Sequence, residues 1–565
     1  MKPSTRSGLL WACVLASLVL SLARAANWEH RHDEGTTFDI AFHEMAVGEY
    51  IEDWPSPPVP MSELTLRLEG QSGYTARDTV DALSVDFRTL NPPLYYLAAH
   101  LWGRLVGSGQ LVWRLPAVFL TALAVLGLAA IARRVVLGEA AGLWAAALFA
   151  LSPWVISITN LARPYQLPLV FSVWSTLAVL ELMSEKRRSR WWLLFAGCSL
   201  LGLYTVYHYV FVLAWQVGLL GLWSWRLGAG RRRAALFSLG RCVLVLAVGF
   251  LPWVPYLWRH VRASTRGMNY FEGMVAPRNL ASKALATLTD FALADSIETT
   301  GGEVMVWAAA VLALLSLPLL IWSFAGARWR ETDGRARLFW LSAPLMPLML
   351  AATDLVLHSH TVFITKLCFG FMMLWILAVV RAWSCVTVRP LRIAGLSAWV
   401  LLLGSASVLG TWGRGAMENE IEAAAAVISQ DDSATHLVVF STDMRGYAIP
   451  FLLTMRDVGI EKVAVTAARQ ADLKPLLKQL QEDGDYRRVS LVNHYLPGSK
   501  GKLMWDNGHI HHVLQWAGSR GWNAARASRQ WNAAEDWQPP QPTAGEGLGL
   551  WAFGPLAVRC IHGPR

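Results

Sequence analysis

Long apolar runs separated by short polar pieces fill the chain up to about residue 412. About eleven runs are long enough, or nearly so, to read as membrane-spanning helices: 8–25, 111–132, 139–157, 164–183, 191–206, 208–225, 234–256, 303–325, 338–357, 361–380 and 393–412. Suppose the end with Lys2 and Arg6 faces the cytoplasm. Every second connection should then be basic, because Lys and Arg are held on that side. "ARRVV" near 133, "SEKRRSR" at 184–190, "RLGAGRRR" at 226–233, "ARWRETDGRAR" at 327–337 and "VRAWSCVTVRPLR" at 380–392 all meet the expectation. The alternation assigns 26–110, 257–302 and everything after about 413 to the extracytoplasmic side. "ARA" before Ala26 also fits a signal-peptide cleavage site; the first run is expected to stay as a helix.

Beyond residue 412 the pattern changes. "HLVVF" (436–440), "EKVAVT" (461–466) and "VSLVN" (489–493) have the apolar, β-branched character of buried strands. "DLKPLLKQLQED" puts Leu473, Leu476, Leu477 and Leu480 on one helical face, with Asp472 as N-cap. "LGLWAFGPL" is the candidate closing strand. The expected fold class is an α-helical polytopic membrane protein with a C-terminal soluble α/β domain. Its domains are 1–412 and 413–565, with 26–110 forming a first extracytoplasmic loop. "LYYLAAHLW" in that loop is apolar and aromatic but too short to span, so it suits a helix lying in the interface.

Composition supports this reading and narrows the partners. The chain has 565 residues, 54% of them hydrophobic and 16% charged, against about 25% charged in soluble proteins. Its 29 Trp residues suit anchoring at lipid–water boundaries. The net charge of +10 lies in the short loops rather than along a stripe with interleaved aromatics, so no nucleic-acid partner is expected. Six cysteines without a CxxC spacing suggest neither a disulfide framework nor a zinc cluster.

The candidate chemistry collects on the side assigned to the exterior. Asp33 and Glu34 in "HDEG" follow the first run closely, where a carboxylate can take a proton from a hydroxyl or hold a divalent cation; a solvated loop is the plain alternative. Arg163 in "ARPYQL" stands at the outer end of two spans, where a cation has a ligand or snorkels to lipid phosphate. His208 sits in the aromatic turn "YTVYHYVF". Lys366 follows the outer turn that carries His358 and His360, with Asp354 as the alternative ion-pair partner. His30, His32, His43 and Glu44 are further ligand types, as is "GHIHH" at 508–512, but the spacing matches no metal motif. The metal site is therefore unassigned and no cofactor is required, although a divalent cation is compatible with the pattern.

The ordered motifs resemble those of the GT-C type integral-membrane glycosyltransferases, relatives of the dolichyl-phosphate-mannose protein mannosyltransferases and of the lipid A aminoarabinose transferase. An Asp-Glu pair after the first helix is matched by Asp33 and Glu34. "HPPLYYLLLHLW" is matched by "NPPLYYLAAHLW" (91–102), "RLP" by 114–116, and "ARPYAL" by "ARPYQL" (162–167). "YTHY" corresponds to Tyr207, His208 and Tyr209, and a "PW" to Pro252 and Trp253. From about residue 300 the likeness is one of layout. Three departures stand out: Asn91 where the family often has His, Leu161 where an acidic residue often precedes "AR", and Lys366 where Arg is expected.

The resemblance implies an inverting transfer from a polyprenyl-phosphate sugar to an envelope acceptor, in the bacterial inner membrane. Lipopolysaccharide, another glycan, a lipid and a protein are all open as acceptors. It implies Asp33 as base, Glu34 as orienter or metal ligand, and Arg163 and Lys366 on the phosphate. His208 would contact sugar or phosphate; Tyr95 and Tyr165 would stack on sugar or isoprene. The alternatives are a transporter or flippase of lipid-linked substrates, and a non-catalytic envelope-assembly protein.

Overall fold

A computed structural model describes residues 3–27, 75–85, most of 91–267, 280–294, 302–325, 332–357 and 367–412, with shorter pieces elsewhere, chiefly the strands. The helices in chain order are α1 (Pro3–Asn27), α2 (Ala76–Val85), α3 (Leu94–Val106), α4 (Gln110–Val135), α5 (Ala141–Ala150), α6 (Pro153–Thr159), α7 (Gln166–Leu182), α8 (Ser189–Leu203) and α9 (Tyr209–Trp225). They continue with α10 (Ala229–Phe250), α11 (Val254–Gly267), α12 (Leu280–Leu293), α13 (Gly302–Ala325), α14 (Gly334–Ser342), α15 (Leu345–Leu357), α16 (Phe369–Ser384) and α17 (Arg389–Trp412). The chain is an integral, multi-pass membrane protein. Each expected apolar run overlaps a helix or two successive ones, the run 361–380 from Phe369 onward. Among the described residues, 6 helical spans are long and apolar enough to cross a membrane, or 7 with the bent pair α5–α6; α7, α9 and α16 are apolar but shorter.

The chain divides into two compact units. The first comprises Met1–Asn27, Leu83–Tyr95 and Arg114–Gly413, and it holds the helical bundle. Its core runs from Val14 through α4, α5, α7, α9 and α16 to Ala406. Two buried arginines cap helix ends in this bundle. Arg24 Nη1 donates to Gly410 O (3.0 Å), in the last turn of α17, and Arg114 Nη1 donates to Ala25 O (2.9 Å), in the last turn of α1. A cation placed there satisfies carbonyls that the helix leaves unpaired and offsets the negative end of the dipole.

Breaks in the helices are handled in the same way. α5 and α6 meet at an angle of 54° around Leu151 and Ser152. Pro153, whose missing N–H costs nothing at a helix start, opens α6, and the Ser152 hydroxyl accepts from Val155 N–H (3.4 Å). The Leu151 carbonyl freed by the break accepts from Ser407 Oγ (2.8 Å). Where basic loops end the helices, Trp340 Nε1 donates to Val135 O (2.7 Å), and Arg134 pairs with Glu181. Arg381 is buried there too, bonded to Ser323 Oγ (3.0 Å) and ringed by Phe324, Trp329 and Trp340 at 4.9–5.2 Å.

The second unit comprises Trp28–Ala82, Tyr96–Trp113 and Arg414–Arg565. Its six-stranded sheet runs in the order β1 (Val59–Pro60), β3 (Ala464–Ala468), β2 (His436–Ser441), β4 (Arg488–His494), β6 (Leu556–His562) and β5 (Asn523–Ala525). β3, β2 and β4 are parallel, with Val438 opposite Val465 and Ser490. Three of the expected strands are present. The strand that closes against β4 is β6, antiparallel, and it begins only at the last residue of "LGLWAFGPL". Residues 475–476 and 478–479 are helical, with Leu476 buried, as the leucine spacing predicts. Within this unit the indole of Trp102 donates to Val112 O (2.7 Å). That carbonyl lies four residues before Pro116, which has no N–H to offer it.

Gly202 and Gly197 of α8 provide a matched pair. A Cβ on Gly202 would come within 2.5 Å of the Tyr209 ring, whereas one on Gly197 would meet nothing within 4 Å. Gly202→Ala should therefore lower the melting temperature in detergent by an amount worth about 1–3 kcal/mol, with Gly197→Ala unchanged. Equal melting temperatures for the two variants would refute this packing.

Candidate functional site

The turn that carries Arg163 lies between α6 and α7. Arg163 is 8% exposed and Tyr165 7%. The guanidinium carbon sits 5.8 Å from the centre of the Tyr165 ring, and Arg163 N–H donates to Leu161 O (2.8 Å). These two expected site residues are thus brought together. Leu161, at the departure from the family pattern, is fully buried within the bundle core; a carboxylate in its place would need a partner inside apolar surroundings. Gln166 opens α7, and its Nε2 donates to Thr121 Oγ1 (2.6 Å).

The second turn, Tyr204–His208, joins α8 to α9. Its Tyr204 carbonyl accepts from Leu94 N–H (3.0 Å), the first residue of α3, so the "NPPLYY" segment docks on this turn directly before the half-buried Tyr95. His208 begins α9 as its N-cap, and its ring lies 6.2 Å from that of Phe211. Tyr207 belongs to a longer chain of bonds. Its hydroxyl is 2.8 Å from His260 Nδ1 and accepts from Trp253 Nε1 (2.8 Å), while His260 Nε2 is 2.8 Å from Leu83 O.

A carbonyl only accepts, so Nε2 of His260 carries the proton, and Nδ1 of the neutral ring accepts from Tyr207. The direction is fixed throughout: Trp253 N–H to Tyr207, Tyr207 O–H to His260, His260 N–H to Leu83. Burial pushes the Tyr207 phenol up, so it remains a donor. This chain ties the segment ahead of α3 to α11. His260 carried no signal in the sequence, standing alone in "LWRHVRAS".

A second buried polar network links α7 and α9. Gln216 Nε2 donates to Ser175 Oγ (2.7 Å) and Thr176 Oγ1 (2.9 Å), and Ser175 Oγ is 2.8 Å from the Tyr209 hydroxyl. Polar residues inside apolar runs were its available signal.

In the second unit, Glu34 is helical and fully buried. Close by in sequence, Ala41 O is 2.6 Å from His100 Nδ1 and accepts from Thr79 Oγ1 (3.4 Å). Asp33, Lys366, His358 and His360 lie outside the described residues, as do His30, His32, His43, Glu44 and 508–512. Among the described residues no group of three or more His, Cys, Asp or Glu gathers as a metal site.

Residues 91–256, which contain both turns, match the family described as dolichyl-phosphate-mannose-protein mannosyltransferase. No curated protein matches the chain. Among solved structures, an oligosaccharyltransferase from Archaeoglobus fulgidus, in complex with Zn and sulfate, shares the fold with a TM-score of 0.51. It is 11% identical, over 98% of this chain and 88% of that one. The same organism's AglB with an inhibitory peptide and a dolichol-phosphate gives 0.47, at 10% identity over 88% and 74%. ArnT from Cupriavidus metallidurans in the apo state gives 0.43, at 15% identity over 86% and 93%.

Tyr207→Phe would leave His260 Nδ1 and Trp253 Nε1 unpaired. It should cost about 1–3 kcal/mol of stability, read as a lower melting temperature in detergent. A wild-type melting temperature would show that the chain of bonds contributes nothing. Residues 91–256 thus match a mannosyltransferase family, and the chain shares its fold with an archaeal oligosaccharyltransferase.

Proposed function

We propose that the protein moves a sugar from a polyprenyl-phosphate donor to an acceptor of the bacterial envelope, with inversion, at the outer face of the inner membrane. The observation that carries this reading is the buried Arg163 turn inside a stretch matching a family named for a dolichyl-phosphate sugar. A guanidinium among apolar helices suits a phosphate, which it can grip through two parallel N–H donors. The apolar helices suit the polyprenyl tail. The basic connections of the sequence support the outward assignment of this turn.

In the proposed step Asp33 takes the proton of the acceptor hydroxyl as its oxygen attacks the anomeric carbon. The bond from that carbon to the phosphate oxygen breaks, and polyprenyl phosphate leaves with the electron pair. Phosphate is a stable anion, so the step needs charge neutralisation rather than a general acid. Arg163 and Lys366 supply it, and Glu34 orients the base. His208 is assigned to a sugar or phosphate contact, and Tyr95 and Tyr165 to stacking on sugar or isoprene. The archaeal relative's structure names Zn; a divalent cation held by Glu34 would add positive charge, and no step depends on it. The acceptor is a glycan, lipid or protein of the envelope, lipopolysaccharide included.

Asp33→Asn should lower transfer about 10²–10⁴-fold, the usual worth of a general base, while expression stays normal. Transfer of radiolabelled sugar from the lipid-linked donor into membrane extracts measures it. Full activity would remove Asp33 from this role. A deletion strain should accumulate unconsumed lipid-linked sugar and lose a mass-shifted envelope component. Unchanged pools would count against the transferase reading as a whole.

A further inference from the structure

Thr159 is the last residue of α6 and Gln166 the first of α7. The segment carrying Arg163 and Tyr165 hangs between them. Both flanking side chains reach one atom: Thr121 Oγ1 of α4 accepts from Gln166 Nε2 at 2.6 Å and lies 2.9 Å from Thr159 Oγ1. Thr121 and Thr159 are fully buried and Gln166 is 1% exposed. Backbone carbonyls lie within reach of both hydroxyls, Val155 O 2.7 Å from Thr159 Oγ1 and Ala117 O 3.0 Å from Thr121 Oγ1. Each hydroxyl has one proton, so one threonine donates to its carbonyl and the other donates across the Thr121–Thr159 pair. With no water between the helices to substitute, opening these bonds leaves polar atoms unpaired. The family pattern quoted above has Ala at the position of Gln166. Alanine has no amide to donate, so the closure belongs to this chain.

We propose that Thr121, Thr159 and Gln166 are positioning residues: a polar staple that fixes the width of the turn between α6 and α7 and so aims the Arg163 guanidinium at the donor's phosphate. The inference rests on the polyprenyl-phosphate reading. None of the three touches substrate; they act through Arg163. A turn that springs open moves the guanidinium and weakens phosphate binding. Proton transfer at the acceptor is run by other residues. The expected signature is therefore a raised KM for the donor with little change in kcat, which a general loss of folded protein would not produce.

The test uses the full chain in nanodiscs, with undecaprenyl phosphate as the probe and native mass spectrometry as the binding readout. Thr121→Val keeps the shape and loses the hydroxyl; Thr121→Ser keeps the hydroxyl. Thr121→Val and Gln166→Ala should each weaken binding by about fivefold, the worth of one net hydrogen bond. Thr121→Ser should bind as wild type does. Folded Thr121→Val binding as tightly as wild type overturns the staple. If Thr121→Val does not fold, Gln166→Ala decides alone, because it restores the family's residue. Wild-type protein that fails to bind undecaprenyl phosphate overturns the donor reading and the staple with it. Wild-type binding that is lost in Arg163→Ala but intact in Gln166→Ala overturns the staple and leaves the donor reading standing.

Discussion

The fold depends on one constraint. Between membrane helices there is no water, so a polar group buried there must find its partner in the protein. Among the described residues, the bundle meets this at several places where regular helix is interrupted. Arg24 and Arg114 take up the last carbonyls of α17 and α1. Ser407 takes up the carbonyl freed at the α5–α6 bend. Ser316 receives the indoles of both Trp383 and Trp399 (2.9 and 3.0 Å), pinning α16 and α17 to α13. Hydrophobic burial alone would let apolar helices slide against one another in lipid; these directional contacts choose one packing.

The same constraint shapes the candidate site. The segment at Arg163 and the turn 204–208 are the places where function is expected, and each is braced by side chains of other helices. The chain from Trp253 through Tyr207 and His260 to Leu83 holds the segment ahead of α3. Leu94 N–H on Tyr204 O holds the start of α3 itself. In the proposed transfer, a cation braced in this way would meet developing negative charge without reorganising at the moment of reaction. Binding and catalytic residues on loops depend on a rigid scaffold of this kind.

An identity of 11% with an oligosaccharyltransferase of the same fold has a physical explanation. The bundle needs apolar faces of the right length and internal partners for its polar groups, and many sequences supply both. Fold alone therefore leaves the chemistry open. It is the stretch 91–256, with its ordered motifs, that matches a family named for a dolichyl-phosphate sugar. Within that stretch the departures are informative. Leu161 is packed in the core where the family often carries an acid, so charge at that position is replaced by burial.

Sequence alone marked the long apolar helices, because an apolar run long enough to cross a bilayer has few alternatives to helix. α12, in the stretch 257–302 read as an outer connection, was not marked, although residues 291–294 lie in the bundle core. It also marked the parallel strands β2, β3 and β4, whose apolar runs are short and β-branched. Arg163 was legible for a similar reason: a lone cation at the end of apolar runs is conspicuous. The pairings were decided only by the tertiary structure. Val59–Pro60 joins the edge of the sheet against Ala464–Val465, from some 400 residues away, and so short a strand leaves no pattern to read. His260 and Leu83, and Thr121 with Thr159 and Gln166, meet because three-dimensional packing brings distant helices together. Hydrophobic patterning specifies which face of a helix is buried, but it carries no information about which buried donor will face which acceptor.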